Sequence, residues 1–303
     1  MAKVTVSAQV DAEQVQELLA AATAEDGTAP IGEGALLAPD AVHLFTIDDD
    51  RLTGYATLDL ANPDEAVGEL AVHPGARRQG IGRVLVNALI EQAKPRALRI
   101  WAHGEHPGAK ALAQTLGFQQ VRELWQMRRS LATPELPEVR LTEGVALRTF
   151  RPGRDESEFL RVNNAAFDWH PEQGGWSLDQ VKQRENEPWF DPEGFFLAVE
   201  ATDPDRLLGF HWTKVHTAPE RIGADTRSAD ASLGEVYVVG VDPAQQGRKL
   251  GAALTLAGLR HLRDRGLSDV MLYVEADNAP AVRVYRNLGF EHYHTDAAFR
   301  HEP

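Results

Sequence analysis

The stretch "VDPAQQGRKLG", Val241 to Gly251, leaves an apolar run and enters a segment with helical spacing; "VHPGARRQGIG", Val72 to Gly82, does the same earlier in the chain. A loop that leaves a strand and opens a helix on glycine exposes main-chain N–H groups. With the positive end of the helix dipole they form a seat for phosphate oxygens. Small residues there let a pyrophosphate come close to the backbone. Either loop alone reads equally well as a tight turn with no ligand. Placement narrows the reading. A dinucleotide fold carries its glycines after the first strand, with an acidic residue about 20 positions later. Here the pattern follows a hairpin in mid-unit, and it is not the lysine-containing loop of nucleoside triphosphatases.

The two loops sit inside a larger repeat. "FTIDDDRLTGYATLDL" (Phe45 to Leu60) is echoed by "LAVEATDPDRLLGFHWTKV" (Leu197 to Val215), both reading strand, polar turn, strand. "AQTLGF", ending at Phe118, is echoed by "YRNLGF", ending at Phe290, and Gly117 and Gly289 suit a helix C-terminus before a returning strand. Three pairs in one order indicate duplication. "LATPELPEVRL", Leu131 to Leu141, holds two prolines that disfavour a continuous element, so the linker is placed there. The expected domains are 1–131 and 141–303, joined by 132–140.

Each unit reads as helices, a hairpin, a third strand, the loop, a helix, a strand, a short helix and a last strand pair. In the second, "GEVYVVGV" (Gly234 to Val241) is the third strand and "DVMLYVEA" (Asp269 to Ala276) the next. Leu250, Leu254, Ala257 and His261 recur at helical spacing between them. The expected fold class is α/β, two tandem units, each a mixed central sheet flanked by helices.

Composition sets bounds. The 303 residues include no cysteine, which excludes disulfides and thiolate metal sites and fits a reducing cytoplasm. The formal net charge is −14, which disfavours nucleic acid as a partner in the absence of a basic stripe. "MAKVTVSAQVDAEQV" does not read as a secretory signal, and no apolar run approaches the roughly 20 residues that span a bilayer. The eleven histidines lack metal-ligand spacing, so no metal is expected.

The loop pattern, followed by "DNAPA" and a Leu-Gly-Phe ending, resembles the GCN5-related N-acetyltransferases. The first loop supplies Arg77, Gly80 and Gly82 in full; the second supplies Gln246 and Gly251 but has Lys249 where that family usually has glycine. The resemblance implies that acetyl-CoA, the acetyl donor, lies along Leu70, Ala71, Val72, Arg77, Arg78, Gln79, Gly80, Ile81, Gly82 and Arg83 in one unit. In the other it implies Val239, Gly240, Val241, Gln246, Gly247, Arg248, Lys249, Leu250, Gly251, Ala252 and Asn278. "DGTAPIGE" (Asp26 to Glu33), "NNAAFDWHPEQGGW" (Asn163 to Trp176), "GEVYVVGVDP" (Gly234 to Pro243) and "LYVEADNAPAVRVYRNLGF" (Leu272 to Phe290) are similar to a tandem branch of the family. That branch acetylates the cysteinyl amine of a cysteinyl-glucosaminyl-inositol. The implied partner is therefore this small molecule, with no nucleic acid or membrane, and the chain is expected to be a monomer.

Acetyl transfer to an amine needs a base for the amine, a donor for the thioester oxygen and an acid near the departing sulfur. Under the resemblance Glu235 is the base, the main-chain N–H near Val239 the oxygen's donor and Tyr285 the acid. Glu33, Glu172 and Lys214 join Glu235 and Tyr285 as candidate acceptor contacts; as isolated residues each reads equally well as a surface charge. Trp169, Trp176 and Trp189 read as core or lid packing, and "DDDR" (Asp48 to Arg51) as a hairpin turn. Aligned on Leu-Gly-Phe, Ala113 falls opposite Tyr285 and His106 opposite Asn278; counted from Pro74 and Pro243, Ala66 falls opposite Glu235. The first unit is thus expected to hold acetyl-CoA without chemistry, and the second to turn over. Two rivals stand beside this reading. One is a tandem acetyltransferase for another amine (aminoglycoside, polyamine or protein N-terminus); the other is an acyl-CoA sensor with two dead sites.

Overall fold

The computed structural model describes residues 3–36, 41–104, 106–170, 173–216 and 232–303. Its contacts divide these into two units, 3–125 with 294–303, and 126–216 with 232–293.

The first unit runs β1 (Val4–Ser7), α1 (Ala12–Asp26), α2 (Glu33–Leu36), β2 (Val42–Asp48), β3 (Arg51–Asp59), β4 (Glu65–Val72), α3 (Ile81–Ala93), β5 (Ala97–Ala102), α4 (Pro107–Thr115) and β6 (Gln119–Ser130). Strands β1 to β4 pair antiparallel in sequence order, and β4 pairs β5 in parallel after the α3 crossover. The hairpin turn at Asp49 and Asp50 takes positive φ at both positions, as a tight two-residue turn requires. Helix α3 lays Ile81, Leu85 and Leu89 against Leu44, Ala56 and Leu58 of the strands, a buried seam that fixes where its N-terminus sits.

The second unit repeats the order as β7 (Val145–Thr149), α5 (Glu156–Ala166), α6 (Leu178–Glu185), β8 (Phe195–Glu200), β9 (Asp203–His216), β10 (Leu233–Val241), α7 (Leu250–Asp264), β11 (Asp269–Glu275), α8 (Ala279–Asn287) and β12 (Glu291–His301). Strands β7 to β10 pair antiparallel and β10 pairs β11 in parallel. Its core is aromatic: Trp212 stacks on Phe195 at 4.6 Å, and Phe159 meets Phe210 edge-on at 4.7 Å. Such rings remove large apolar areas from water in few residues. Segment 132–140 is held by Arg260, which donates to the carbonyls of Leu136 and Pro137.

The sequence reading has the repeated order right but begins each unit on helices. Each in fact opens on a strand, β1 or β7, of four or five residues, too short for alternation to register. Each unit also closes on one long strand, not a pair, and the two are not confined to their own halves. Ala297 to His301 of β12 pair antiparallel with β5 and so complete the first unit's sheet. The end of β6 lies beside β11 in the second unit, where Gln126 Nε2 donates to the Tyr273 hydroxyl at 2.8 Å.

Candidate active site

In both units the fourth and fifth strands pair only briefly and then part. Pairing of β4 with β5 runs from Glu65–Ala97 to Gly68–Ile100, and that of β10 with β11 is limited to Gly234–Val270 and Glu235–Met271. Beyond these pairs, one edge of Leu70 to Val72, and of Val239 to Val241, has no ladder partner among the described residues. Each parted strand leads straight into the quoted loop.

Both loops begin with a single 3-10 turn, Pro74–Ala76 or Pro243–Gln245, capped by His73 Nδ1 on the Gly75 amide and by Asp242 Oδ1 on the Ala244 amide. Both then place two residues in the left-handed region, Arg78 and Gly80 in one, Gly247 and Lys249 in the other. Helices α3 and α7 start on Gly80 and Lys249 with no side-chain cap, whereas α1, α4, α6 and α8 are capped by Asp11, His106, Ser177 and Asn278. The amides of Ile81, Gly82 and Arg83, and of Leu250, Gly251 and Ala252, have no intrahelical acceptor by the geometry of a first turn. At Gly251 a side-chain carbon would meet only Val241 Cγ2 at 3.9 Å, so space beside that turn is open. The residues present therefore fit a pyrophosphate seated on main-chain donors.

Polar side chains of the loops are engaged within the protein. Arg77 forms a bidentate pair with Asp26 at 2.7 Å and donates from Nε to the Val72 carbonyl, so its charge holds the loop to the end of α1. Hydrogen bonding to Asp26 raises the Arg77 pKa, despite an opposing contribution from burial. Arg248 is bonded to Gln245 Oε1 and the Glu143 carbonyl. Asn278 Oδ1 caps α8 through the Ala281 amide at 3.2 Å, and His106 Nδ1 caps α4 through Gly108 at 3.1 Å. The alignment that set these two opposite each other matches their shared role as caps.

Glu235 is buried, 8% exposed, at the last β10–β11 pair. Its cross-strand neighbour on β9 is Lys214, and its Oε2 lies 2.6 Å from His216 Nε2. The Lys214 ammonium is turned onto rings, 4.8 Å from that of Trp189 and 5.9 Å from that of Tyr237. The Tyr237 hydroxyl accepts from Arg184 Nε at 3.2 Å, and Arg184 lies over Trp176 at 4.0 Å. Tyr237 is the extra residue of a β-bulge: Val236 pairs with Thr213 and Val238 with Trp212. The bulge re-aims the strand next to Glu235.

The bulge also corrects the alignment of the two units. Gly54 pairs with Val72 and Gly209 with Val241, so Asp59 and Lys214 stand equally far along their strands. Asp59 pairs with Val67, which makes Val67, not Ala66, the counterpart of Glu235. Counting from the prolines ran through the inserted residue.

Tyr285 lies in α8, half-buried, with its ring edge-on to Phe290 at 5.8 Å. Burial pushes its phenol up to about 12. No hydrogen bond joins it to Glu235 among the described residues. Of the acceptor contacts, Glu33 opens α2, its side chain not described, and Glu172 lies outside the described residues. Trp176 is buried and Trp189 packs at the edge of the aromatic core, but Trp169 is 57% exposed and is not core.

The sequence reading missed a second set of buried charges, in the first unit. Glu69 of β4 accepts from the Gly32 amide at 2.6 Å and meets His103 Nε2 at 3.2 Å; His103 Nδ1 meets Asp296 of β12 at 3.1 Å. Burial alone would lower the His103 pKa, but the two carboxylates outweigh it and raise the imidazolium to about 10. Burial alone would raise Asp296, but His103 and His294 hold it well below the carboxylate range. Glu69 stands one pleat beyond Val67 on the same face, where β4 and β5 have just parted. The available signal was a lone carboxylate inside the apolar run "AVGELAV".

Two parted strands, each feeding a loop whose main chain opens a helix, repeat one acyltransferase-type fold in the two units. The acetyltransferase (GNAT) family model matches residues 12–118 and again 163–290, and the chain belongs to that family. It is 54% identical over 293 residues to the mycothiol acetyltransferase of Nocardia farcinica, covering 95% of this chain and 93% of that one. It is 52% identical to the mycothiol acetyltransferase of Actinosynnema mirum, with 99% of each chain covered. Among solved structures, a GCN5-related N-acetyltransferase from Sphaerobacter thermophilus superposes with a TM-score of 0.75 at 24% identity, over 99% of this chain and 95% of that one. A tandem GNAT protein from the clavulanic acid biosynthesis pathway gives 0.72 at 20% identity, over 100% and 98%. The chain is an N-acetyltransferase of tandem GNAT architecture. Among the described residues, no helix is long and apolar enough to cross a membrane.

Proposed function

We propose that the chain transfers an acetyl group from acetyl-CoA to the cysteinyl amine of desacetylmycothiol, and that the second unit, 141–303, performs the reaction. The observation that carries this reading is the buried Glu235 carboxylate just before β10 and β11 part. It lies in a chain about half identical, over nearly all its length, to proteins named mycothiol acetyltransferase.

Bound acetyl-CoA supplies the acetyl group and leaves as CoA. The first-turn amides of α7 seat its pyrophosphate, and Lys249 adds a cation beside them. Glu235 takes the proton of the incoming amine; an α-amine of pKa roughly 7.7–8.0 needs only modest help. The Val239 N–H meets the thioester oxygen as negative charge builds on it. The C–N bond forms, the C–S bond breaks, and Tyr285, protonated at neutral pH, gives its phenolic proton to the sulfur. Lys214 binds hydroxyl or amine groups of the acceptor. The first unit, 1–131, holds acetyl-CoA without turning it over. The chain acts as a monomer in the cytoplasm.

The test is free CoA release with a panel of amines. Turnover of the cysteinyl-glucosaminyl-inositol well above that of aminoglycosides, polyamines and peptide N-termini is expected. Tight acetyl-CoA binding with no release for any amine would leave the sensor reading instead.

A further inference from the structure

Along β9 the side chains of Lys214 and His216 share one face, and Glu235 of β10 stands opposite the first and diagonal to the second. The nearer cation does not take the carboxylate, because Trp189 and Tyr237 hold it on their ring faces. The diagonal imidazole does, at 2.6 Å, a contact as short as charge-assisted hydrogen bonds become. An ionised carboxylate only accepts, so Nε2 must carry the hydrogen. Oε2 is then engaged, and among the described residues Oε1 has no partner.

The remaining surroundings set the context for this bond. Tyr237 stands on β10 itself with Arg184 of α6 at its hydroxyl. Strand β11 offers Met271 beside Glu235, with Tyr273 and Glu275 further along, and α7 meets Gly234 with Leu262. No arginine or lysine bonds the carboxylate among the described residues. One imidazole is the side chain that meets the carboxylate among the described residues.

We propose that His216 is a positioning residue of the reaction: its Nε2–H fixes Oε2 of Glu235 and turns Oε1 to the acceptor amine. The inference rests on Glu235 being the base. Removing the donor leaves Oε2 unheld, so Oε1 loses its aim at the amine. His216→Ala is expected to lower kcat on the order of 10–100-fold through lost alignment, with KM for acetyl-CoA unchanged. His216→Gln, which keeps an N–H donor, should recover most of the rate. Unchanged kcat in His216→Ala, or equal losses in Ala and Gln, overturns the proposal.

A second measurement needs neither turnover nor the Ala variant. The Nε2–H proton of His216, followed by NMR, should lie downfield in the wild-type chain and move upfield in Glu235→Gln; equal positions overturn the proposal. Failure of wild-type enzyme to acetylate the cysteinyl conjugate would instead count against the substrate reading, leaving the imidazole proton signal to decide the pairing by itself.

Discussion

Gly80 and Lys249 begin the helices of the two loops in the same left-handed conformation, with φ of +86° and +57°. Two positions earlier the residues are exchanged, with Arg78 at +64° answering Gly247 at +84°. One backbone is kept, and glycine and a cation trade places on it. The lysine that departs from the family pattern therefore does not close the seat; it holds a glycine's conformation at a cost. A left-handed non-glycine residue costs about 1–2 kcal/mol, part of which a glycine returns through unfolded-chain entropy. Lys249→Gly is expected to stabilise the chain by about 1 kcal/mol in denaturant melts. It should also weaken acetyl-CoA binding several-fold in calorimetry, because the cation beside the phosphates is gone. Unchanged affinity would remove Lys249 from the phosphate seat.

Glu235 and Tyr285 are predicted to fail separately and in different ways. Glu235→Gln should lower kcat about 10²–10⁴-fold, as loss of a positioned base does, while acetyl-CoA still binds. Tyr285→Phe should lower kcat by a similar factor at every pH up to about 10. Its phenol titrates near 12, so the wild-type profile has no alkaline limb from this group below that range. A tyrosine-dependent limb near pH 8 or 9 would mean that Tyr285 does not stay protonated as the acid.

Much of the fold was legible because it is written in local chemistry. The Asp49–Asp50 turn, the glycines ending α4 and α8, and the Val-x-Pro turns need only near neighbours. The bulge at Tyr237 was not legible, since a bulge is a property of pairing: "GEVYVVGV" alternates no differently for having one extra residue against β9. Pairing also decided the site. Glu235 was proposed from its strand, but His216 reaches it across a diagonal that a linear reading does not show. Glu69, His103 and Asp296 come from three separated stretches, joined only when β12 returns to β5. The pairing of β12 with β5 likewise had no sequence signal, as the Leu-Gly-Phe endings look alike whichever sheet the next strand enters.

The Glu69–His103–Asp296 chain gives the first unit a pH dependence whose sign can be worked out. His103 is raised from 6.5 to about 10, so its contribution is complete below 6.5 and is lost progressively as pH rises towards 10. Asp296 is lowered from 3.8, so its contribution is complete above that value and fades as pH falls. Melts of the first unit should therefore show a stability plateau between about pH 4 and 6.5 and a decline on the alkaline side. His103→Gln should flatten the alkaline decline and cost about 3–5 kcal/mol near pH 6, the usual penalty for breaking a buried charge pair. An alkaline slope identical to wild type would assign the decline to other groups.

Arg77 separates main-chain from side-chain binding in the first unit. The resemblance puts Arg77 among the residues along acetyl-CoA, and its guanidinium is paired with Asp26, both side chains 23% exposed. If the main-chain amides of α3 do the seating, Arg77→Gln should leave acetyl-CoA affinity at that loop within about threefold. It should lower stability by about 1 kcal/mol, the scale of a partly exposed pair. Asp26→Asn should cost a similar amount, and the double variant less than the sum, since each single change already breaks the same bond. Calorimetry on Glu235→Gln, in which acetyl-CoA is not consumed, reads the affinity without interference from turnover. A loss of tenfold or more in Arg77→Gln would mean that the guanidinium leaves Asp26 for the ligand, and that the ion pair is a resting contact of the loop.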